Sequence, residues 1–187
     1  MIELKDAIPL LNTGSVGVLP TDTLYGLSCS AFNKESVERI YDIKKRNPQK
    51  PLIVLISDVA DLGRFDINLD EIILSKIKEM WEERPTSVIL NIGEESFSKF
   101  EYLHRGSGKV AFRIPKNDGL KKVLKSIGPI VAPSANPEGL ETAKDILEAK
   151  EYFGDDVDFY VDGGVLQSEP SRLVEIDEKT GEISVLR

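Results

Sequence analysis

Apolar positions along the chain follow two periods. Alternating or short continuous apolar runs occur in SVGVLP (15–20), LIVLIS (52–57), SVILNI (87–92), KVAFRI (109–114), PIVAPS (129–134), DFYVDG (158–163), RLVEID (172–177) and EISVLR (182–187). Each reads as a β-strand. Between several of them the period lengthens to that of a helix. Asn33 is placed to cap a helix whose apolar face is Val37, Ile40, Tyr41 and Ile43, and residues 69–81 repeat the pattern with Leu69, Ile72, Ile73, Ile77 and Trp81. Thr142, followed three positions on by Asp145, resembles a further helix start, with Asp where a capping box usually has Glu or Gln. DEKTGE (177–182), between two alternating runs, predicts a hairpin turn. Strands interleaved with helices and closed by a hairpin give an α/β domain with a mixed sheet.

The chain has 187 residues, 41% of them hydrophobic, which suffices for one substantial core and leaves no room for a second full domain. Residues 1–187 are therefore expected to form a single unit, and no internal repeat or linker-like stretch divides them. The longest apolar runs, Pro51 to Ile56 and Ser87 to Leu90, are strand-sized, so neither a signal peptide nor a membrane span is expected and the chain reads as cytoplasmic. Cys29 is the only cysteine and His104 the only histidine, which excludes an internal disulfide and a zinc site of the usual Cys/His kind. Cys29 reads as core, and His104, among Tyr102, Arg105 and Gly106, as surface loop; no metal site is assigned.

A formal net charge of -8 argues against wholesale coating of nucleic acid but allows a local basic pocket. KKRNPQKPLIVL (44–55) crowds Lys44, Lys45, Arg46 and Lys50 into one such place. The helix begun at Asn33 must stop near Lys45, because Pro48 lacks a backbone donor and pushes Asn47 toward an extended conformation. Lys44 and Lys45 suit the negative end of a helix dipole. Arg46 and Lys50 continue past that end, either as a solvated charge run or as one wall of a cleft.

Two other loops favour the cleft. PTDTLYGL (20–27) follows a strand and carries Thr21 and Thr23; APSANPEG (132–139) follows another and carries Ser134 and Asn136, again two apart. Strand-end loops are where α/β sheets bind ligands. Hydroxyls and amides bind oxyanions and sugar hydroxyls, while Lys and Arg neutralise phosphate and carboxylate. Each loop alone could simply cap its own backbone; together they suggest an anion pocket. No Gly-x-x-x-x-Gly-Lys-Ser/Thr or Gly-x-Gly-x-x-Gly loop is present, and HRGSGK (104–109) lacks the spacing.

PTDTLYGL, the Lys-x-Arg of KKR, KPLIVLI, VAFRIP, SAN and PSRLVEI, in that order, resemble the YrdC family of L-threonylcarbamoyladenylate synthases over residues 16–187. The resemblance implies an open twisted mixed sheet with flanking helices and a large, positively charged cavity. It implies an enzyme, a nucleotidyltransferase, that joins L-threonine, bicarbonate and ATP into threonylcarbamoyl-AMP and releases pyrophosphate. The product would feed the transferase machinery that modifies adenosine 37 of ANN-decoding tRNAs. The signature residues fall on Lys44, Arg46, Ser134 and Asn136. ATP contacts map to Arg46, Lys50, Lys109, Ser134, Thr142 and Arg187, with Mg2+ carried on the triphosphate. L-threonine contacts map to Thr23, Arg113, Ser171 and backbone near Ala132. Many members have His where this chain has Leu55, Pro where it has Asn47, and Trp-Pro-Gly-Pro where it has WEERP (81–85). Two alternatives stand beside this reading: a non-catalytic RNA-binding module using the same cavity, and a relative of the carbamoyl-transfer domain of hydrogenase maturation proteins, whose zinc-finger cysteines the chain lacks.

Overall fold

The computed structural model describes all residues, Met1–Arg187. Nine strands form one mixed sheet: β1 (Gly17–Pro20), β2 (Tyr25–Ser30), β3 (Ile53–Leu55), β4 (Thr86–Asn91), β5 (Lys109–Arg113), β6 (Ile130–Val131), β7 (Phe159–Tyr160), β8 (Arg172–Ile176) and β9 (Ile183–Val185), in the order β7-β1-β2-β6-β3-β5-β4-β8-β9. Three pairs are parallel (β1/β7, β3/β5, β4/β8) and the other five antiparallel, a mixed sheet as the interleaved pattern predicts. Six α-helices flank the sheet: α1 (Ala7–Asn12), α2 (Lys34–Lys44), α3 (Glu71–Glu83), α4 (Glu101–His104), α5 (Asp118–Ile127) and α6 (Ile146–Phe153).

Alternation along the central strands feeds two cores. Val18, Val54 and Val131 enter a large cluster with Val37, Ile40, Ile77 and Trp81 of α2 and α3, while their neighbours Leu19, Leu55 and Ile130 enter a smaller one with Leu11 of α1 and Leu120 and Leu124 of α5. The middle of the sheet is thus buried on both faces.

Local signals hold where the sequence supplied caps. Asn33 accepts the Ser36 N–H at 3.0 Å and starts α2; Asp70 accepts the Ile73 N–H at 2.8 Å and starts α3 two residues later than the periodicity suggested. Ile72, expected on the apolar face of α3, is 72% exposed. At the next helix the expectation is corrected: Asp145, and not Thr142, is the cap of α6, accepting N–H bonds from Leu147 and Glu148 at 2.9 Å. The 177–182 turn forms the β8–β9 hairpin, and Leu173 pairs with Arg187 through backbone bonds that tie down the last residue.

His104 is likewise corrected. It is fully buried at the end of α4, with Nε2 donating to Phe97 O at 2.9 Å and Nδ1 accepting the N–H groups of Gly106 and Gly108 at 3.1 and 3.2 Å. A turn that needs two N–H groups satisfied indoors recruits a ring acceptor. Cys29 is buried as expected, and burial pushes its thiol well above the usual range. No helix is long and apolar enough to cross a membrane.

Candidate functional site

The cations of residues 44–50 divide by depth. Lys44, the last residue of α2, is only 2% exposed. Its amine donates to the Ser134 carbonyl, to the Asn136 carbonyl at 2.6 Å and to Asn136 Oδ1 at 3.3 Å; Ser134 Oγ donates to the same Oδ1 at 2.6 Å. The Lys-x-Arg and Ser-x-Asn stretches therefore meet inside the protein. Burial pulls the Lys44 amine down to about 7, Arg46 acts in the same direction, and Glu138 opposes both. Lys45 takes a left-handed conformation at φ 49°, and the Arg46 N–H closes onto Tyr41 O at 3.0 Å, ending the helix before Pro48 is reached. The Arg46 guanidinium donates to Pro51 O at 2.9 Å. Lys50 pairs with Glu138, whose carboxylate also accepts the Asn47 N–H at 2.5 Å. Those two contacts hold the Glu138 carboxyl below the usual range. Thr142 stays beside this loop, since Ala143 N–H donates to Ala135 O at 3.0 Å.

A second cluster sits across the sheet end. Arg113 closes β5 and is 4% exposed. Nη1 donates to Thr23 Oγ1 at 3.0 Å, Nη2 donates to Thr21 Oγ1 at 3.3 Å and lies 3.4 Å from Asp22 Oδ1, and Nε has no partner. The other Asp22 oxygen accepts the Lys116 N–H at 3.0 Å. Burial works against the Arg113 charge, Asp22 supports it, and Arg187 works against it. Thr23, Arg113, Ala132, Ser171 and Arg187 line one pocket of about 40 Å³. Arg187 Nη2 donates to Ser171 O at 3.1 Å. The segment 162–170 runs without regular structure from β7 toward β8, and Pro170 at its end joins the pocket lining. Tyr25 Oη fastens that segment by donating to Gly164 O at 2.7 Å and accepting the Gly163 N–H at 2.8 Å.

The family model of the Sua5, YciO and YrdC proteins, described as telomere recombination, matches residues 9–187. The chain belongs to this family. A threonylcarbamoyl-AMP synthase of Acinetobacter baylyi is 31% identical to it over 96% of this chain and 95% of that protein. The fold of E. coli YciO matches at TM-score 0.82 and 24% identity, covering 98% of this chain and 87% of that one. The fold of P. abyssi Sua5, crystallised with L-threonine, matches at TM-score 0.84 and 24% identity, covering 98% of this chain and 53% of that one.

Within this Sua5/YciO/YrdC fold the four residues assigned to threonine lie together, and Arg187, assigned to the nucleotide, joins them. Lys109 does not join either cluster. It begins β5, about 13 Å of strand from Arg113, and pairs there with Glu175 at 2.5 Å. KVAFRI crosses the sheet, so its first and last residues serve opposite ends. The pocket beside Arg113 is narrow, with Pro170, Ser171 and Arg187 in its lining, and Asp22 and Glu138 lie against the cations of the two clusters. Leu55, at the position where many members of the resembled family have His, stands in register with Arg113 and is fully buried in the smaller core, outside the pocket lining, to which β3 contributes Ile53. Asp22 and Glu138 had no part in the sequence assignment. Their signal was position, each being the acid of a strand-end loop already singled out for its hydroxyls or amide.

Proposed function

We propose that the chain makes threonylcarbamoyl-AMP from L-threonine, bicarbonate and ATP, acting as a nucleotidyltransferase. The observation that carries this reading is a buried guanidinium, Arg113, with an unpartnered Nε, sharing a pocket with the hydroxyls of Thr23 and Ser171 and a second guanidinium, Arg187. Such a set suits a small molecule with a carboxylate and hydrogen-bonding groups of its own.

Arg113 takes the threonine carboxylate, and Thr23 and Ser171 take its remaining polar groups. The amine nitrogen attacks CO2 derived from bicarbonate, water being lost, to give a carbamate. A carbamate oxygen then attacks the α-phosphorus of ATP, and the bond to pyrophosphate breaks. Arg46 and Lys50 neutralise the phosphates and bring two anions within reach, so proximity and charge compensation supply the rate. Lys44 works one step back, fixing Ser134 and Asn136 beside the nucleotide. In this reading Mg2+ would be carried on the triphosphate, with few protein ligands, and would neutralise charge there. The product would supply the threonylcarbamoyl group for adenosine 37 of ANN-decoding tRNAs.

The test is pyrophosphate release from ATP with L-threonine and bicarbonate. Release should require both, and L-valine should fail by a factor of roughly 10^4, since a site built for a hydroxyl leaves its own polar groups unpaired without one. Equal turnover of valine and threonine would remove the assignment, and RNA binding without release would favour a binding module.

A further inference from the structure

Ser87 of β4 and Ser171, just before β8, face each other with Oγ atoms 2.9 Å apart. Ser87 is completely buried and Ser171 is 4% exposed. Each hydroxyl brings one proton and two lone pairs. The mutual bond uses one proton, so the other must go elsewhere. If Ser171 donated, the spare proton would sit on Ser87, which makes no other side-chain hydrogen bond and touches no solvent. A buried donor with no acceptor is the costly outcome. If Ser87 donates, the spare proton belongs to Ser171, which lines the pocket beside Arg113 and Arg187. Thr21 offers no such freedom, because its proton is committed to Leu24 O at 2.7 Å.

We propose that Ser87 is a positioning residue: it donates to Ser171 Oγ and so turns the Ser171 hydroxyl into a donor aimed at an acceptor oxygen of the bound amino acid. This rests on the reading of the pocket as the threonine site. It predicts that Ser87 acts on substrate through Ser171 alone, although it touches no substrate itself.

The experiment is a double-mutant cycle on the full chain, reading L-threonine affinity by calorimetry. Ser87→Ala should weaken binding about five-fold, the scale of one hydrogen bond's net worth. Ser171→Ala should weaken it at least as much, and adding Ser87→Ala to Ser171→Ala should cost nothing further. In the pyrophosphate assay Ser87→Ala should raise the KM for L-threonine while kcat and the KM for ATP hold. Should Ser87→Ala fail to fold, Ser87→Cys, a similar volume with a weak donor, takes its place in the same cycle. Unchanged threonine affinity in the Ser87 variant, or a loss that persists in full without Ser171, overturns the proposal. Wild-type protein that binds no L-threonine overturns the threonine reading first, and the proposal with it.

Discussion

Replacing Lys44 with methionine isolates what a buried amine does at the end of α2. Methionine keeps most of the volume and removes the amine's contacts to Ser134 O, Asn136 O and Asn136 Oδ1, all three donated by the ammonium and two at a time by the neutral amine. Ser134 O still accepts the Asn136 N–H, and Asn136 Oδ1 still accepts Ser134 Oγ, so the Asn136 carbonyl is the group left without a donor. An orphaned buried acceptor costs about 1–3 kcal/mol. Removing the amine also removes its desolvation penalty, so a net loss of about 2 kcal/mol is expected, a Tm lower by about 4–8 °C for a chain of this size. The pH dependence gives a sharper signature. Burial holds Lys44 near 7, against 10.5 ordinarily, so between those values the unfolded chain binds more protons at this site than the folded one. Stability contributed by this site therefore rises with pH across that window, with a limiting slope of about 1.4 kcal/mol per pH unit. The variant lacks the titration. Urea unfolding of both proteins from about pH 6 to pH 9.5 should show the gap between them widening as pH rises. A gap that stays constant or narrows would mean that Lys44 remains charged in the folded protein, and a variant as stable as the wild type at every pH would refute the staple altogether.

Lys109→Ala should leave the KM for ATP unchanged and cost at most about 1 kcal/mol in urea unfolding, because its partner Glu175 is a surface charge at the far end of β5. Glu138→Gln removes the carboxylate that holds Lys50 and the Asn47 N–H, so the KM for ATP should fall, by roughly three-fold; a rise would show that Glu138 orders the loop and does not compete for its cation. His104→Phe deprives Gly106 and Gly108 of their acceptor and Phe97 of its donor, which should lower the Tm by about 4–8 °C with both KM values intact.

Eight strands and two capped helices were legible because apolar alternation and cap residues are local signals. The strand that was missed, β2, does alternate: Tyr25, Leu27 and Cys29 enter the large core while Gly26, Ser28 and Ser30 fall between them. Its small residues lack the β-branched bulk that marks a strand, and the Pro, Asp and Thr residues of PTDTLYGL carry loop chemistry into its start. Helix α5 carries Leu120, Val123, Leu124 and Ile127 at helical spacing behind an Asn117 cap, a local signal of the same kind as those of α2 and α3. Thr142 misled because the motif has Asp145 at its fourth position, and an aspartate is itself a preferred cap. In the candidate site, residue types were legible and compensation was not. Nothing in the spacing of KKR shows that Lys44 turns inward while Arg46 turns along its own loop, nor that Asp22 reaches Arg113 some ninety positions on.

That compensation decides which charges an incoming anion can use. The partners of Lys44 are a side-chain amide and two backbone carbonyls of a packed loop, and the partner of Arg113 is an aspartate side chain only 6% exposed, pinned in turn by the Lys116 N–H. Neither set is displaced without unpacking the fold. Glu138 is different: its carboxylate meets Lys50 at the surface, where an ion pair is worth little and a phosphate presents the same oxygens with more charge. An arginine has five N–H donors, of which Arg113 commits one on Nη1 to Thr23 and one on Nη2 to Thr21, while Asp22 Oδ1 lies 3.4 Å from Nη2 without a hydrogen bond and Nε is buried without a partner. In the proposed reading a buried guanidinium held in a narrow pocket suits a single carboxylate, whereas an exposed lysine that exchanges one partner for another suits a polyphosphate. The proposed division of labour between threonine and nucleotide would then follow from which cations the fold has locked and which it has left exchangeable.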